Sequence, residues 1–418
     1  MGYLRTSTAL GCLAAVSLAT ACGSGKAQGG ETVTLRGAVA HVPAADPRPY
    51  AAADATFGLK MLEAWCGKDP KANVVLSPSS LSSGLGMVYL AAKGDTATTM
   101  AGTLKLPAGD PLAGLHARNQ ALKGLGGGKD VTISTSDQVW ADKQDKPISS
   151  YLDKVATAYD AGLKTLNISG DPEAARNTIN DAIKKSTQGK IPELLPKDMV
   201  KPDTGWILTD AVYLKAKWAI EFEKSDTHRE PFTTAAGKAV QPDTMSRAGT
   251  LGYAHTAGWT AVDLPYKGGK VSLTAMLPDS KAAGCPGLDA ATLQQVTGAL
   301  RPSMVDVHLP KVDLKSKDDM KPLLTKLGMG RAFSDGADFT GISPKAGKLQ
   351  FVQHAATMRV DEEGTEAAAA TGSGIEATSA RAPIPNKVIF DRPYVLVVRD
   401  TQTGLPLFVA RVADPSQS

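Results

Sequence analysis

The order in which hydrophobic periodicity changes along this chain constrains its fold more than any other feature. Early in the folded part, apolar residues recur at helical spacing. Phe57, Met61, Leu62 and Trp65 share one face of a helix that closes near Cys66-Gly67. Val74-Val75-Leu76 reads as a short strand, and Ser77-Pro78 then starts a helix predicted over 79–93, with Gly94 at its end. Further helices are predicted at 112–122, 150–159 and 172–188, around a strand at 131–141. From 205 onward strand patterns dominate. Strands are predicted at 205–218, 251–253, 260–264, 271–277, 304–309 and 349–360, and again within 387–413. One helix, at 317–327, interrupts them and is stopped by Gly328. Helices first and strands crowded later imply an α+β protein with large, mostly antiparallel sheets and a helical N-terminal part.

A length of 418 residues allows two or three domains or one large one. The 46 lysines and arginines nearly balance the 42 acidic residues, and no basic stripe carries aromatics, which excludes a nucleic-acid reading. The six histidines are dispersed, without metal-ligand spacing. Gly-x-Ser-x-Gly, His-Glu-x-x-His and Cys-x-x-Cys motifs are absent. The glycine-rich turn at 124–129 fails as a phosphate loop, because Asp130 follows Lys129 where Ser or Thr is needed. Nothing therefore points to a catalytic residue, a metal or a cofactor.

The N-terminus reads as a targeting segment. Arg5 precedes a short apolar run from Ala9 to Ala21, of signal-peptide length and too short to span a bilayer. Leu18-Ala19-Thr20-Ala21-Cys22 resembles a bacterial lipobox, which implies removal of 1–21 and a lipid on Cys22 that holds the protein to a membrane. Ordinary secretory cleavage near Ala21 is the other reading. Both place the mature protein outside the cytoplasm, at the cell surface or free. Residues 22–48, rich in Gly, Ser, Ala and Pro, read as a flexible tether ahead of a domain over 49–418. Cys66 and Cys285 either pair or stay free thiols in that oxidising setting; spacing does not decide.

One stretch conflicts with itself. Asp361-Glu362-Glu363-Gly364-Thr365-Glu366 is followed by four alanines and Thr371-Gly372-Ser373-Gly374. Four alanines favour a helix. Yet Thr365, Ala367, Ala369 and Thr371 sit at period two, all small and uncharged, as the buried face of an inserted strand requires. Gly364 supplies a hinge with freedom in φ. On composition alone the stretch is a linker; between two strong strand signals it is a candidate moving part.

Several segments together resemble the serpins, over about 51–415. They include Asn73-Val-Val-Leu-Ser77-Pro78-Ser-Ser80, Ala91-Ala92-Lys93-Gly94-Asp95-Thr96, and Asn177-x-x-Asn180 with Thr187-Gln-Gly189-Lys190-Ile191. Asp210-Ala-Val-Tyr-Leu-Lys-Ala-Lys217-Trp218, Leu264-Pro265-Tyr266, Met276-Leu277-Pro278, Leu309-Pro310-Lys311 and Leu327-Gly328-Met329 with Ala337-Asp338-Phe339 follow in order. Phe390-Asp-Arg-Pro393-Tyr394 and the run from Pro406 to Pro415 close the likeness. Each piece is weak; a dozen in order are specific.

The resemblance implies a serpin fold with an exposed reactive-centre loop at about 363–386. It implies a monomeric inhibitor of serine proteases that works as a suicide substrate. The protease cuts the loop and forms an acyl-enzyme, and the cleaved loop inserts into the main sheet and distorts the trapped protease. The hinge would comprise Glu363, Gly364, Thr365, Ala367, Ala369 and Thr371. About 15 residues at ~3.3 Å each reach roughly 50 Å, the length of a sheet. From Thr365 to Ala377 no alternate residue is charged or proline. Family spacing puts the reactive bond between Thr378 and Ser379, which suits elastase-like or subtilisin-like proteases with a small first pocket. The loop runs about four residues longer than usual, so Arg381-Ala382, a trypsin-like bait, is the alternative. Ser77, Ser80 and His354 correspond to the family's shutter, and Asp210 stands where asparagine is usual. A serpin-fold protein that is only a substrate or a binding module is the competing reading.

Overall fold

The structure, a computed structural model, describes residues 32–126, 129–281, 284–365 and 385–417. Strand β1 (Val33–Leu35) precedes α1 (Arg48–Cys66), β2 (Val74–Leu76), α2 (Pro78–Tyr89), α3 (Gly94–Leu104) and α4 (Leu112–Lys123). Next come β3 (Val131–Thr135), β4 (Gln138–Asp142), α5 (Ser149–Tyr159), β5 (Leu163–Leu166), α6 (Pro172–Ser186) and β6 (Trp206–Lys217). The strand-rich half begins with β7 (Thr227–Arg229), β8 (Phe232–Thr233), β9 (Ala239–Val240), β10 (Asp243–Thr256), β11 (Trp259–Pro265) and β12 (Val271–Pro278). It continues with α7 (Ala290–Ala299), β13 (Arg301–Pro310), β14 (Val312–Asp319) and α8 (Lys321–Leu324). The last strands are β15 (Val352–Asp361), β16 (Gly364–Thr365), β17 (Asn386–Ile389), β18 (Tyr394–Asp400) and β19 (Pro406–Val412).

Two large sheets form the body. The first has the order β1-β5-β4-β6-β16-β15-β14, with β3 also on β6. The second has the order β17-β13-β10-β11-β12-β18-β19-β2, with β7 on β10. Among the described residues only β4–β5, β6–β15 and β13–β17 pair in parallel. The expected α+β architecture with large, mostly antiparallel sheets is the one observed.

Strand β6 is central and covered on both faces, so its sequence is apolar almost throughout. Ile207 and Ala211 point to one face, where they pack with Ile179 and Ile183 of α6 and with Trp140. Val212 and Leu214 point to the other, against the second sheet through residues such as Leu264 and Leu273. Helices α1 and α2 fill the remaining space beneath, with Phe57, Leu62, Leu81 and Leu85 buried beside Leu208 and Val352. The helix starts follow local chemistry. Ser77 caps α2 by accepting the Ser80 N–H, and Asp171 caps α6 through the Ala174 N–H, each ahead of a proline in the first turn.

Four expectations are corrected. The helix at 317–327 starts later than expected: β14 continues to Asp319, whose carboxylate accepts the backbone N–H of Lys321 and Val352, and helical turns follow from Lys321 to Met329. The helix begins only after Met320, with Pro322 in its first turn. The helix at 79–93 ends at Tyr89, and Gly94, with φ +51°, opens α3 rather than closing α2. The strand at 131–141 is broken at Ser136-Asp137 into β3 and β4. The tether at 22–48 is bound from residue 32 onward. Val33–Leu35 pairs with β5, and the backbone N–H groups of Ala38 and Ala40 donate to Asp153 and Thr157 of α5. A β-branched, aliphatic triplet beside an open sheet edge gains ladder bonds there that a solvated tether lacks. Cys22 and the segment 1–21 lie outside the described residues.

Candidate functional site: the head and centre of the first sheet

Strands β6 and β15 pair directly, from Val352 opposite Leu208 to Thr357 opposite Tyr213. Above that they part, and the chain leaving β15 turns at Glu362-Glu363 and re-enters between them. Thr365 pairs with both Val360 and Ala216, and Gly364 with both Asp361 and Lys217, antiparallel to each neighbour. The start of the predicted hinge is thus already a short strand in the slot. Gly364 has φ +150°, and a Cβ there would lie 2.0 Å from the Ala216 carbonyl oxygen. Only glycine fits that approach.

Thr365 is fully buried, and its hydroxyl lies 2.6 Å from Tyr266 Oη. Burial holds the Tyr266 hydroxyl above its ordinary titration range. Trp218 stacks on Tyr266, with ring centroids 4.5 Å apart, and its indole N–H donates to the Asp361 carbonyl at 2.8 Å. The backbone N–H groups of Trp218 and Phe222 donate to the carbonyls of Glu363 and Glu362. Glu362 accepts from Lys311 at 3.0 Å and Thr227 at 2.8 Å, and Glu363 accepts from Lys224 at 2.8 Å. Burial disfavours ionisation of Glu362, but its own backbone N–H, Lys311 and Thr227 outweigh it and hold the carboxyl below its usual value. Burial pushes the neighbouring Asp361 the other way. The turn is clamped while the strand beyond it points down the slot.

The structure also brings Ser77, Ser80, Asp210 and His354 together beneath the directly paired part of the sheet. His354 sits opposite Asp210 in register, and both are fully buried. His354 Nε2 accepts the Ser77 backbone N–H at 3.3 Å. Its Nδ1 therefore carries the proton and donates to the Asp210 carboxylate, a charge-assisted bond across the seam. Asp210 Oδ2 is buried without a hydrogen-bond partner.

Sequence reasoning missed a fifth member of this cluster. Ser80 donates to Asp137, whose carboxyl is pushed well above its ordinary value by burial first and by nearby Asp210 second. Its signal was available, since a charged residue interrupts an apolar strand pattern there. Trp218 and Tyr266 appeared only as parts of motifs, and nothing local marks them as partners of Thr365. Cys66 and Cys285 form a disulfide that ties the end of α1 to the loop before α7. Ala367, Ala369, Thr371, Thr378, Ser379, Arg381 and Ala382 lie outside the described residues. Among the described residues no group of histidine, cysteine or acidic side chains has the arrangement to hold a metal.

Comparison with known proteins agrees with this geometry. Residues 52–415 match the family model described as serpin (serine protease inhibitor). A leukocyte elastase inhibitor of Bos taurus is 31% identical over 376 residues, covering 87% of this chain and 99% of the relative. Human serpin B9 is 31% identical over 374 residues, covering 87% and 98%. An uncharacterized serpin-like protein of Methanosarcina mazei is 29% identical over 351 residues, covering 82% of each. Among solved structures, the thermophilic serpin tengpin in its native state superposes with a TM-score of 0.80 at 24% identity, covering 91% of this chain and 97% of tengpin. Uncleaved ovalbumin superposes at 0.77 with 22% identity, covering 88% and 100%.

Proposed function

The chain belongs to the serpin family, and on that premise we propose that it inhibits serine-type endopeptidases as a suicide substrate. The observation that carries this reading is β16, two residues of the loop already paired on both sides between β6 and β15. A protease that cuts the loop frees its N-terminal arm while remaining bound to it as an acyl-enzyme. The arm then continues the path that Gly364-Thr365 has begun. One parallel ladder between β6 and β15 is exchanged for two antiparallel ones, each added hydrogen bond contributing about 1 kcal/mol net. The His354–Asp210 bond holds the seam shut until then. Relatives named as inhibitors, including one of leukocyte elastase, support protease inhibition as the activity.

The bond cut is Thr378-Ser379 in this reading, with Arg381-Ala382 as the alternative, so elastase-like or subtilisin-like enzymes are the first targets to test. Incubation with elastase, subtilisin and trypsin is expected to yield a covalent complex that survives SDS. Clean cleavage without a complex refutes the inhibitor reading and leaves a serpin-fold substrate or binding module. Thermal unfolding of the cleaved protein supplies a second readout, because an inserted strand raises the melting temperature. We also propose that the mature protein is a monomer outside the cytoplasm, anchored to the membrane by a lipid on Cys22. Cys22→Ser is expected to move it from the detergent phase to the aqueous phase; an unchanged partition refutes the anchor.

A further inference from the structure

The segment ahead of α1 is strapped to one flank of the domain. Val33–Leu35 pairs with β5, and Arg36 pairs with Asp160. The backbone N–H groups of Ala38 and Ala40 donate to Asp153 at 2.7 Å and Thr157 at 2.9 Å. Gly37 lets the strap lie this close to α5, because a Cβ there would sit 2.2 Å from the Asp153 backbone nitrogen. The strap shortens the chain between Cys22 and the domain. A free run over 23–47 would span up to about 90 Å, whereas the ten residues 23–32 span at most about 36 Å. A domain of this length is about 50 Å across. Where Cys22 carries a lipid, the side of the domain opposite β1 therefore cannot touch the bilayer, and the flank around β1 can.

The surface of that flank suits such a contact. Five large hydrophobic side chains stand exposed among the described residues, and two of them, Val33 at 50% and Val39 at 58%, are on the strap. Four lysines surround it. Lys164 lies opposite Thr34 in register. Lys143 donates its backbone N–H to the Leu166 carbonyl at the end of β5, and Lys146 is exposed in the same loop. Lys154 is exposed on α5, next to Asp153. None of the four has a carboxylate partner among the described residues. The nearby carboxylates are engaged elsewhere. Asp153 holds the strap, Asp160 pairs with Arg36 and Lys123, and Asp142 accepts the backbone N–H groups of Gln144 and Ser169. Burial, and then Asp142, pushes the Asp145 carboxyl above its ordinary value. What remains is exposed aliphatic surface among unpaired cations. An anionic lipid surface attracts each such lysine by about 1 kcal/mol, the second signal that a lipid anchor needs for stable attachment.

We propose that this flank, made of the strap, α5 and the loop after β4, is a docking surface for an anionic phospholipid bilayer. The strap orients the domain on it by leaving too little chain for any other approach than one from this side. That Cys22 meets a bilayer rests on the anchor reading; the character of the flank does not.

The test couples residues 22–418 through Cys22 to a maleimide phospholipid in vesicles of phosphatidylcholine and phosphatidylglycerol. Cys22 is the only free thiol of that chain, because Cys66 and Cys285 are paired. Lysine acylation by sulfosuccinimidyl acetate is read by mass spectrometry, on vesicles and free in solution. A surface potential of about −30 mV favours ammonium over amine about threefold, so Lys143, Lys146 and Lys154 are expected to react at least about threefold more slowly on the vesicles. Lys315, on β14 at the opposite edge of the same sheet, is expected to keep its rate. Unchanged rates at the three lysines, or equal slowing at Lys315, overturn the docking surface. On phosphatidylcholine alone the slowing is expected to fall below about twofold, and full slowing there overturns the recognition of anionic lipid. Gly37→Val is expected to lift the strap, seen as new proteolytic cleavage within 33–40, and to bring Lys143 and Lys146 within about twofold of their solution rates. Full slowing with the strap lifted overturns its orienting role. The chemical link replaces the natural lipid. Native protein that partitions into the aqueous phase therefore strikes the anchor reading, while the vesicle results stand.

Discussion

Thr365→Arg tests the slot directly. Thr365 is fully buried between β6 and β15, with its hydroxyl on Tyr266. Arginine there loses that bond, about 1 kcal/mol, and must desolvate a guanidinium at several kcal/mol more. Asp361 and Glu363 stand at the rim, but Glu363 is held by Lys224 and Asp361 lies near Arg359, so neither is a free counter-ion. Because Thr365 is already seated in the uncleaved protein, arginine first expels β16 there; re-seating it during insertion costs about 4 kcal/mol, and with half of that felt in the transition state insertion slows roughly 30-fold. In the proposed mechanism, trapping is a race between insertion and hydrolysis of the acyl-enzyme. A 30-fold slower insertion raises the number of inhibitor molecules consumed per protease inactivated from a few to tens. The assay titrates a fixed amount of protease with parent and variant and reads residual activity, with the cleaved and complexed fractions resolved on SDS gels. Thr365→Val, which keeps the shape and loses only the hydroxyl, is the control and is expected to change the ratio less than about fivefold. An arginine variant that traps protease as economically as the parent refutes insertion through this slot.

Three further outcomes follow from the same geometry. Gly364→Ala sets a Cβ 2.0 Å from the Ala216 carbonyl, so β16 is expelled at a cost of about 1–3 kcal/mol, checked as a lowered melting temperature and faster proteolysis of the loop. Asp137 has a raised folded-state pKa, so the native state binds its proton more tightly than the unfolded chain, and stability falls as pH rises from about 4 through that raised value. Asp137→Asn removes this loss; its melting temperature is expected to exceed the parent's by a margin that widens with pH, and a constant margin refutes the assignment. Cys285→Ser opens a cross-link spanning 219 residues and is expected to cost about 2–4 kcal/mol in urea denaturation.

How much of this was legible in the sequence depended on whether a feature is local. Periodicity located β6, β15 and β18, because each is long, apolar and covered on both faces. Ser77-Pro78 marked the start of α2, because a cap and a first-turn proline act within four residues. It failed for α3, whose Thr-rich sequence buries Met100 and Leu104 but carries a weak helical stripe. It also misplaced the start of the helix at 317–327, where pairing of 317–319 with β15 extends β14 before the helix begins at Lys321. The lock divides in the same way. His354 and Asp210 were named through family likeness, and their contact exists because a parallel register sets two strands, 144 residues apart, face to face.

The conflict at 361–374, between helix-forming alanines and strand parity, has a partial structural counterpart. Gly364 and Thr365 are committed to the slot largely by residues outside the stretch itself. The small β16 strand exists because Trp218, Tyr266, Lys224 and Lys311 clamp the turn before it, and because Gly364 alone tolerates the approach to Ala216. Below Thr365 the slot is filled by the direct pairing of β6 with β15, crossed by the His354–Asp210 bond. Entry of the next residue therefore requires that pairing to break before the new ladders form. A barrier of that kind lets a chain keep a sheet one strand short of its most hydrogen-bonded state. Replacing Asp210 with Asn converts the charge-assisted bond to a neutral one, worth roughly half as much. Asp210→Asn is thus expected to speed loop insertion several-fold, read as earlier appearance of the heat-stable form after cleavage. An unchanged rate places the barrier elsewhere in the seam.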